Sequence, residues 1–246
     1  NTRVRQDLNV AHVIYDDRIS AVRLALESTG FATDFRAAVE KRDAAMLANR
    51  MKRVARRIHL DFAGIIAADG AVLCRIGTGD EPNPAGRVRM PIADAAMRRH
   101  QTVSGTVVLD QCILSAEDTD LAKRAHIRTR PTPAPAASPN HASPPVDETA
   151  GLAIASAIPV MAQGEVLGAL YGGILLNRDE SIVDKIGGTV FRNEVYRGHN
   201  VGTATIFFRD LRISTSVLEK DGKRAIGTLA SSQVAQRVLQ EGEKWT

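Results

Sequence analysis

An α+β fold, helical at the front and built of antiparallel hairpins behind, is the class that this 246-residue sequence predicts. Three observations carry it. Apolar residues recur every three or four positions through the first sixty residues, the period of an amphipathic helix. Two apolar runs at 152–176 fold back on each other about Ala162, Gln163 and Gly164, and two more at 201–217 do so about Arg209 and Asp210. Between these hairpins, 177–190 reads as a polar helix.

Taken in order, Leu8, Ala11, Tyr15, Ile19, Val22 and Leu26 form the first helical stripe, which Ser28, Thr29 and Gly30 interrupt. Phe35, Val39, Leu47, Met51, Val54 and Ile58 form the second, with Thr33 or Asp34 expected as its N-cap. These stripes pack within the chain, or the first of them pairs with a second copy. From Phe62 the period changes. Two short apolar runs flank Ala68, Asp69 and Gly70, and Asp-Gly between such runs signals a hairpin. A Gly/Pro/Asp loop at 77–86 follows. A short helix with a proline near its start is predicted over 91–100. A β-branched strand is predicted over 102–109, and one or two helical turns over 118–125. Six of the ten prolines then fall in 131–145, which leans to extended polyproline conformation and reads as a solvated loop or a lid. After the second hairpin, 219–223 is a turn. The last helix is expected over 231–241, capped by Ser231 or Ser232.

Composition excludes several function classes. The net charge of +4 is basic but dispersed, densest at Lys52, Arg53, Arg56 and Arg57. No zinc-finger spacing, stacking aromatics or recognition helix accompanies it, so nucleic acid is not the expected partner. Such a field can attract small anions. No run reaches the ~20 apolar residues of a membrane span. The chain begins at Asn1 without a signal-peptide pattern, and reads as a processed or excised piece. Cys74 and Cys112 lack CxxC spacing. They are read as two thiols on separate strands or, in an oxidising compartment, a disulfide. No HExxH, GxSxG or P-loop occurs. The six histidines show no metal spacing, and Glu117, Asp118 and Asp120 read as the acidic start of a helix. No catalytic residue, metal or cofactor is expected.

The segments LYGGILLNRDESIVDKI, from Leu170, and VGTATIFFRDLRISTSVLEKDGKRAIGT, from Val201, resemble the Cache domains of bacterial transmembrane sensors. YGG, LLN, DKI, GTATIF and RAIGT occur in the same order. The similarity runs from about Phe62 to the C-terminus, and the closest type carries two PAS-like Cache units in tandem, in chemoreceptors and sensor histidine kinases. The resemblance implies long N-terminal helices (1–60), a membrane-distal antiparallel Cache unit (61–190), and the start of a membrane-proximal unit (198–246) that lacks its later strands. It also implies a periplasmic, extracytoplasmic location in an inner-membrane protein, with two-component or chemotactic output. A homodimer through the N-terminal helix is common for such sensors.

A sensor of this kind needs a pocket, and a small carboxylate in it needs an arginine fork with hydroxyls or backbone amides. Arg75 at a strand end, Arg89 and His100 flanking the short helix, and Ser115 after the third strand are the candidates from the first part of the unit. Arg128 and Arg130 before the proline-rich segment, Ser156 on a central strand, and Tyr171 before two glycines complete the set. Each has a plainer reading, Arg75 as a solvated strand end and Tyr171 as a core aromatic among them. The expected function is binding of a small metabolite, an organic anion such as a short-chain carboxylate, and transmission of a conformational signal. A free periplasmic solute-binding protein, an enzyme with an unrecognised site and a structural dimerisation domain are the alternatives.

Overall fold

The computed structural model describes residues 2–76, 90–130, 147–192, 194–196, 199, 200 and 202–242. Its chain divides into two compact units. One holds 16–125 and 150–175; the other holds 1–15, 126–149 and 176–246.

Helix α1 (Thr2–Gly30) carries the first stripe, with Ile14, Val22, Ala25 and Leu26 buried. The second stripe is divided between α2 (Thr33–Glu40) and α3 (Ala44–Ile58). The expected cap at Thr33 or Asp34 is not used: Ala32 occupies the N-cap of α2 without a side-chain bond. It is Asp43 that caps, accepting from the Met46 amide at 3.0 Å and starting α3, where it satisfies one of the orphan N–H groups of a first turn.

The main sheet of the 16–125/150–175 unit has β1 (Phe62–Ala67), β2 (Val72–Ile76), β3 (Val103–Leu109), β6 (Gly151–Ala162) and β7 (Glu165–Leu175). Their order is β2-β1-β7-β6-β3, and all four pairings are antiparallel. The long β6–β7 hairpin closes through Gln163 and Gly164, both at positive φ (52° and 88°), as a two-residue turn matched to strand twist requires. Cross-strand partners share a face. One row therefore reads Arg75, Gly64, Tyr171, Ala157 and Val103, and the adjacent row on the other face reads Ile76, Ala63, Gly172, Ser156 and Ser104.

The face bearing Tyr171 is covered by α4 (Pro91–Arg99), α5 (Gln111–Glu117) and α6 (Thr119–Ala125). Its core is rich in alanine: Ala93, Ala96, Ala153, Ala155, Ala157 and Ala169 are all fully buried. The other face meets α2, α3 and the end of α1, where Gly30 abuts Ile158 and Leu170. The one or two helical turns expected over 118–125 are α6, and α5 before them was not anticipated. Asp110 starts α5 by accepting from the Ile113 amide at 2.8 Å, and Asp118, in extended conformation, separates it from α6. Cys112 therefore lies on a helix, not a strand. It is exposed, Cys74 is buried on β2, and both are free, so the disulfide alternative is overturned. Burial pushes the Cys74 thiol up to about 12.

In the other unit, β4 (Ile127–Arg128) pairs with β5 (Asp147–Glu148), and β8 (Val195–Tyr196) with β9 (His199–Asn200). The expected second hairpin is β10 (Thr205–Phe208) and β11 (Leu211–Thr215). Helix α7 (Ser181–Val190) falls inside its predicted span. The C-terminal helix is only partly α: α8 (Ser232–Val234) passes into a π-helical turn over Ala235–Gln240. The proline-rich segment lies outside the described residues.

Candidate functional site

Three side chains from three elements meet beneath α5. Arg75 from β2 and Tyr171 from β7 point from the same sheet row, on either side of Gly64. Glu117 comes down from the last position of α5. The Tyr171 hydroxyl donates to Glu117 Oε1 at 2.7 Å. Arg75 Nε lies 3.0 Å from that same oxygen and 3.2 Å from the Tyr171 hydroxyl, and Arg75 also reaches the Ala116 carbonyl at 3.5 Å. All three are buried, Arg75 and Glu117 at 1% exposure and Tyr171 at 0%.

The sequence builds this arrangement locally. Gly64 leaves the space through which the Tyr171 ring crosses the sheet, since a Cβ there would run into the tyrosine hydroxyl. In α5, Ile113, Leu114 and Glu117 are the buried positions, so the carboxylate sits where the helical period would place an apolar residue.

Burial raises the Glu117 carboxyl to about 7, against the opposing pull of Arg75 and Tyr171. Burial also raises Tyr171 well above its ordinary range, helped by the Glu117 charge. For Arg75, burial disfavours the charge, but Tyr171 and Glu117 outweigh it and the shift is upward. The site is thus a fixed cation with two polar groups that resist ionisation. Among the described residues, Glu117 Oε2 has no hydrogen-bond partner, which for a buried carboxylate oxygen is a costly state.

Of the residues anticipated from sequence, Arg75 and Tyr171 come together here. The solvated strand end once open to Arg75 is replaced by a buried one. Ser115 lies on α5, half-buried and two residues from Glu117. His100 is exposed and closes α4 in left-handed conformation (φ 53°). Ser156 is buried on the face of the sheet away from Tyr171, paired across the strands with Ser104, and neither Oγ finds a partner among the described residues. Arg128 and Arg130 belong to the other unit. There Arg130 donates to the Ile226 carbonyl and to Glu219 (3.1 Å each), anchoring the strand exit, while Arg128 is exposed on β4. Arg89 lies outside the described residues. Glu117 was missed, because its acidic neighbours suggested a helix start; the apolar Ile113 and Leu114 one turn earlier were the signal for a buried position. Among the described residues no group of three His, Cys, Asp or Glu could hold a metal, and no helix is long and apolar enough to cross a membrane.

Comparison with known proteins meets the resemblance seen in the sequence. Residues 174–246 match the family model of single Cache domain 3. The fold is similar to that of solved bacterial sensor domains. The periplasmic domain of Vibrio cholerae LuxQ superposes with a TM-score of 0.51 at 16% identity, over 89% of this chain and 82% of that one. The ligand-binding domain of the Campylobacter jejuni chemoreceptor Tlp3 in complex with L-valine gives 0.53 at 10% identity, over 97% and 79%. The same domain with 4-methylisoleucine gives 0.50 at 9%, over 86% and 67%. No curated protein matches the sequence.

Proposed function

We propose that this chain is the extracytoplasmic, periplasmic sensing region of an inner-membrane receptor, and that its 16–125/150–175 unit binds a small organic anion, a short-chain carboxylate, at Arg75 and Tyr171. One observation carries the reading: two buried donors, a guanidinium and a phenol, converge on a single carboxylate oxygen. Charge-assisted bonds of this kind are the strong ones, and arginine suits carboxylates. The L-valine that Tlp3 holds also carries a carboxylate, which supports the class of ligand. A free solute-binding protein would be expected to have two lobes with parallel sheets, whereas the five strands here are antiparallel. Two-component or chemotactic output follows from the Cache resemblance, with the 61–190 region as the membrane-distal unit and 198–246 as part of a membrane-proximal one. Ligand shifts the output only by its differential affinity for two states.

The test is a thermal-shift panel of acetate, propionate, succinate and L-valine. A ligand at 100 times its dissociation constant adds roughly 2.7 kcal/mol, or about 2–4 °C in a protein of this size. A saturable shift that Tyr171→Phe weakens and Arg128→Ala leaves intact is the expected outcome. A flat response to all four compounds overturns the reading.

A further inference from the structure

The carboxylate already on Arg75 and Tyr171 is the protein's own. Glu117 ends α5, and its side chain is chemically a propionate on a backbone stalk. It fits its donors unevenly: Oε1 takes both the Tyr171 proton and the Arg75 Nε contact, while Oε2 takes none among the described residues. A free carboxylate, not held by a helix end, can turn to engage both oxygens. Two ionised carboxylates beside one buried guanidinium repel each other, so when Glu117 carries its charge an incoming carboxylate displaces it.

We propose that Glu117 is a tethered competitor: it occupies the Arg75–Tyr171 donors in the ligand-free protein and must be expelled by an incoming carboxylate, which frees the end of α5. This rests on the reading that Arg75 and Tyr171 hold the ligand. The groups around it agree. Arg75 ties to α5 twice, through Glu117 and through the Ala116 carbonyl, so one displacement loosens two contacts. Asp118 donates its amide to the Leu114 carbonyl and then leaves helical geometry, which makes the junction of α5 with α6 the natural place to yield. Glu117 also sets specificity, since only a ligand that replaces its charge gains entry without leaving Arg75 uncompensated.

Titration calorimetry with propionate on the full chain and on Glu117→Gln tests this. At pH 8, above the raised Glu117 carboxyl, the amide keeps the shape and removes the competing charge, so propionate should bind at least about tenfold tighter. Equal or weaker binding to Glu117→Gln, with wild-type binding intact, overturns the tethered competitor and leaves the anion site standing. Absence of propionate binding in both proteins sinks both readings together. A second measurement needs no variant: amide hydrogen exchange of wild type with and without saturating propionate. Exchange at the Asp118 amide, which donates to the Leu114 carbonyl at the end of α5, should rise several-fold on binding, and increased protection there overturns the proposal.

Discussion

Gly64 shows how much a single position decides. Its missing side chain lets Tyr171 lie across the sheet and reach Glu117, so Gly64→Ala should push the tyrosine off its partners. Small-to-large changes in a packed core cost about 1–3 kcal/mol, and urea unfolding of Gly64→Ala should register a loss of that size. Glu117 predicts a pH dependence. Its carboxyl is raised from an ordinary value near 4.5 to about 7, so between those values the folded state keeps a proton that the unfolded state has released. Stability from this group is therefore fully present below pH 4.5, falls as pH rises, and is lost above 7. The span corresponds to roughly 3 kcal/mol. Chemical denaturation at pH 5 and pH 8 should show that fall in wild type, and Glu117→Gln should remove it. Arg75 and Tyr171 were legible in the sequence because an arginine at a strand end and a tyrosine beside glycines are unusual. Their partner was not, since only the fold reveals that α5 turns its last residue inward.

Among the elements, the hairpins were the most legible, because turn residues and alternating strands repeat the same message locally. Gln163 and Gly164 sit where the twist of β6 and β7 needs positive φ, and Arg209, also at positive φ (56°), serves the β10–β11 turn. Helix α5 was hidden by its shortness: seven residues give too few turns for a period to emerge. Helix α7 is tied to its own unit by one side chain. Arg224 grips both oxygens of Asp184 (2.8 and 2.9 Å), reaches Glu180 at 2.9 Å, and donates to the Thr215 carbonyl at 2.7 Å. Networks of this kind exceed isolated surface pairs, so Arg224→Ala should cost roughly 1–2 kcal/mol. The loss should be read in thermal unfolding and should shrink in high salt. Long-range clamps of this type leave no trace in a sequence, because their partners lie some forty positions apart.

For the whole molecule, the order of elements was legible and the division of the chain was less so. The 16–125/150–175 unit is visited twice, with 126–149 contributed to the other unit in between, and contact between distant segments decides that, not local composition. Assembly is a proposal at the same scale. On α1, Val10, Val13 and Leu24 remain 39%, 58% and 57% exposed, and their spacing of three and eleven keeps them near one side of the helix, apart from the buried stripe. We expect a homodimer through this side. Sedimentation of Val13→Asp/Leu24→Asp should give a monomer where wild type gives a dimer, and a wild-type monomer at high concentration would exclude the assembly. The buried ionic cluster also constrains how such a protein can be improved or can drift. Replacing buried charged groups with well-packed apolar ones of similar volume is often neutral or stabilising by about 1–4 kcal/mol. A selection for heat resistance alone would thus favour erasing Arg75 and Glu117 together, and under the proposed function the survivors would be sturdier and deaf.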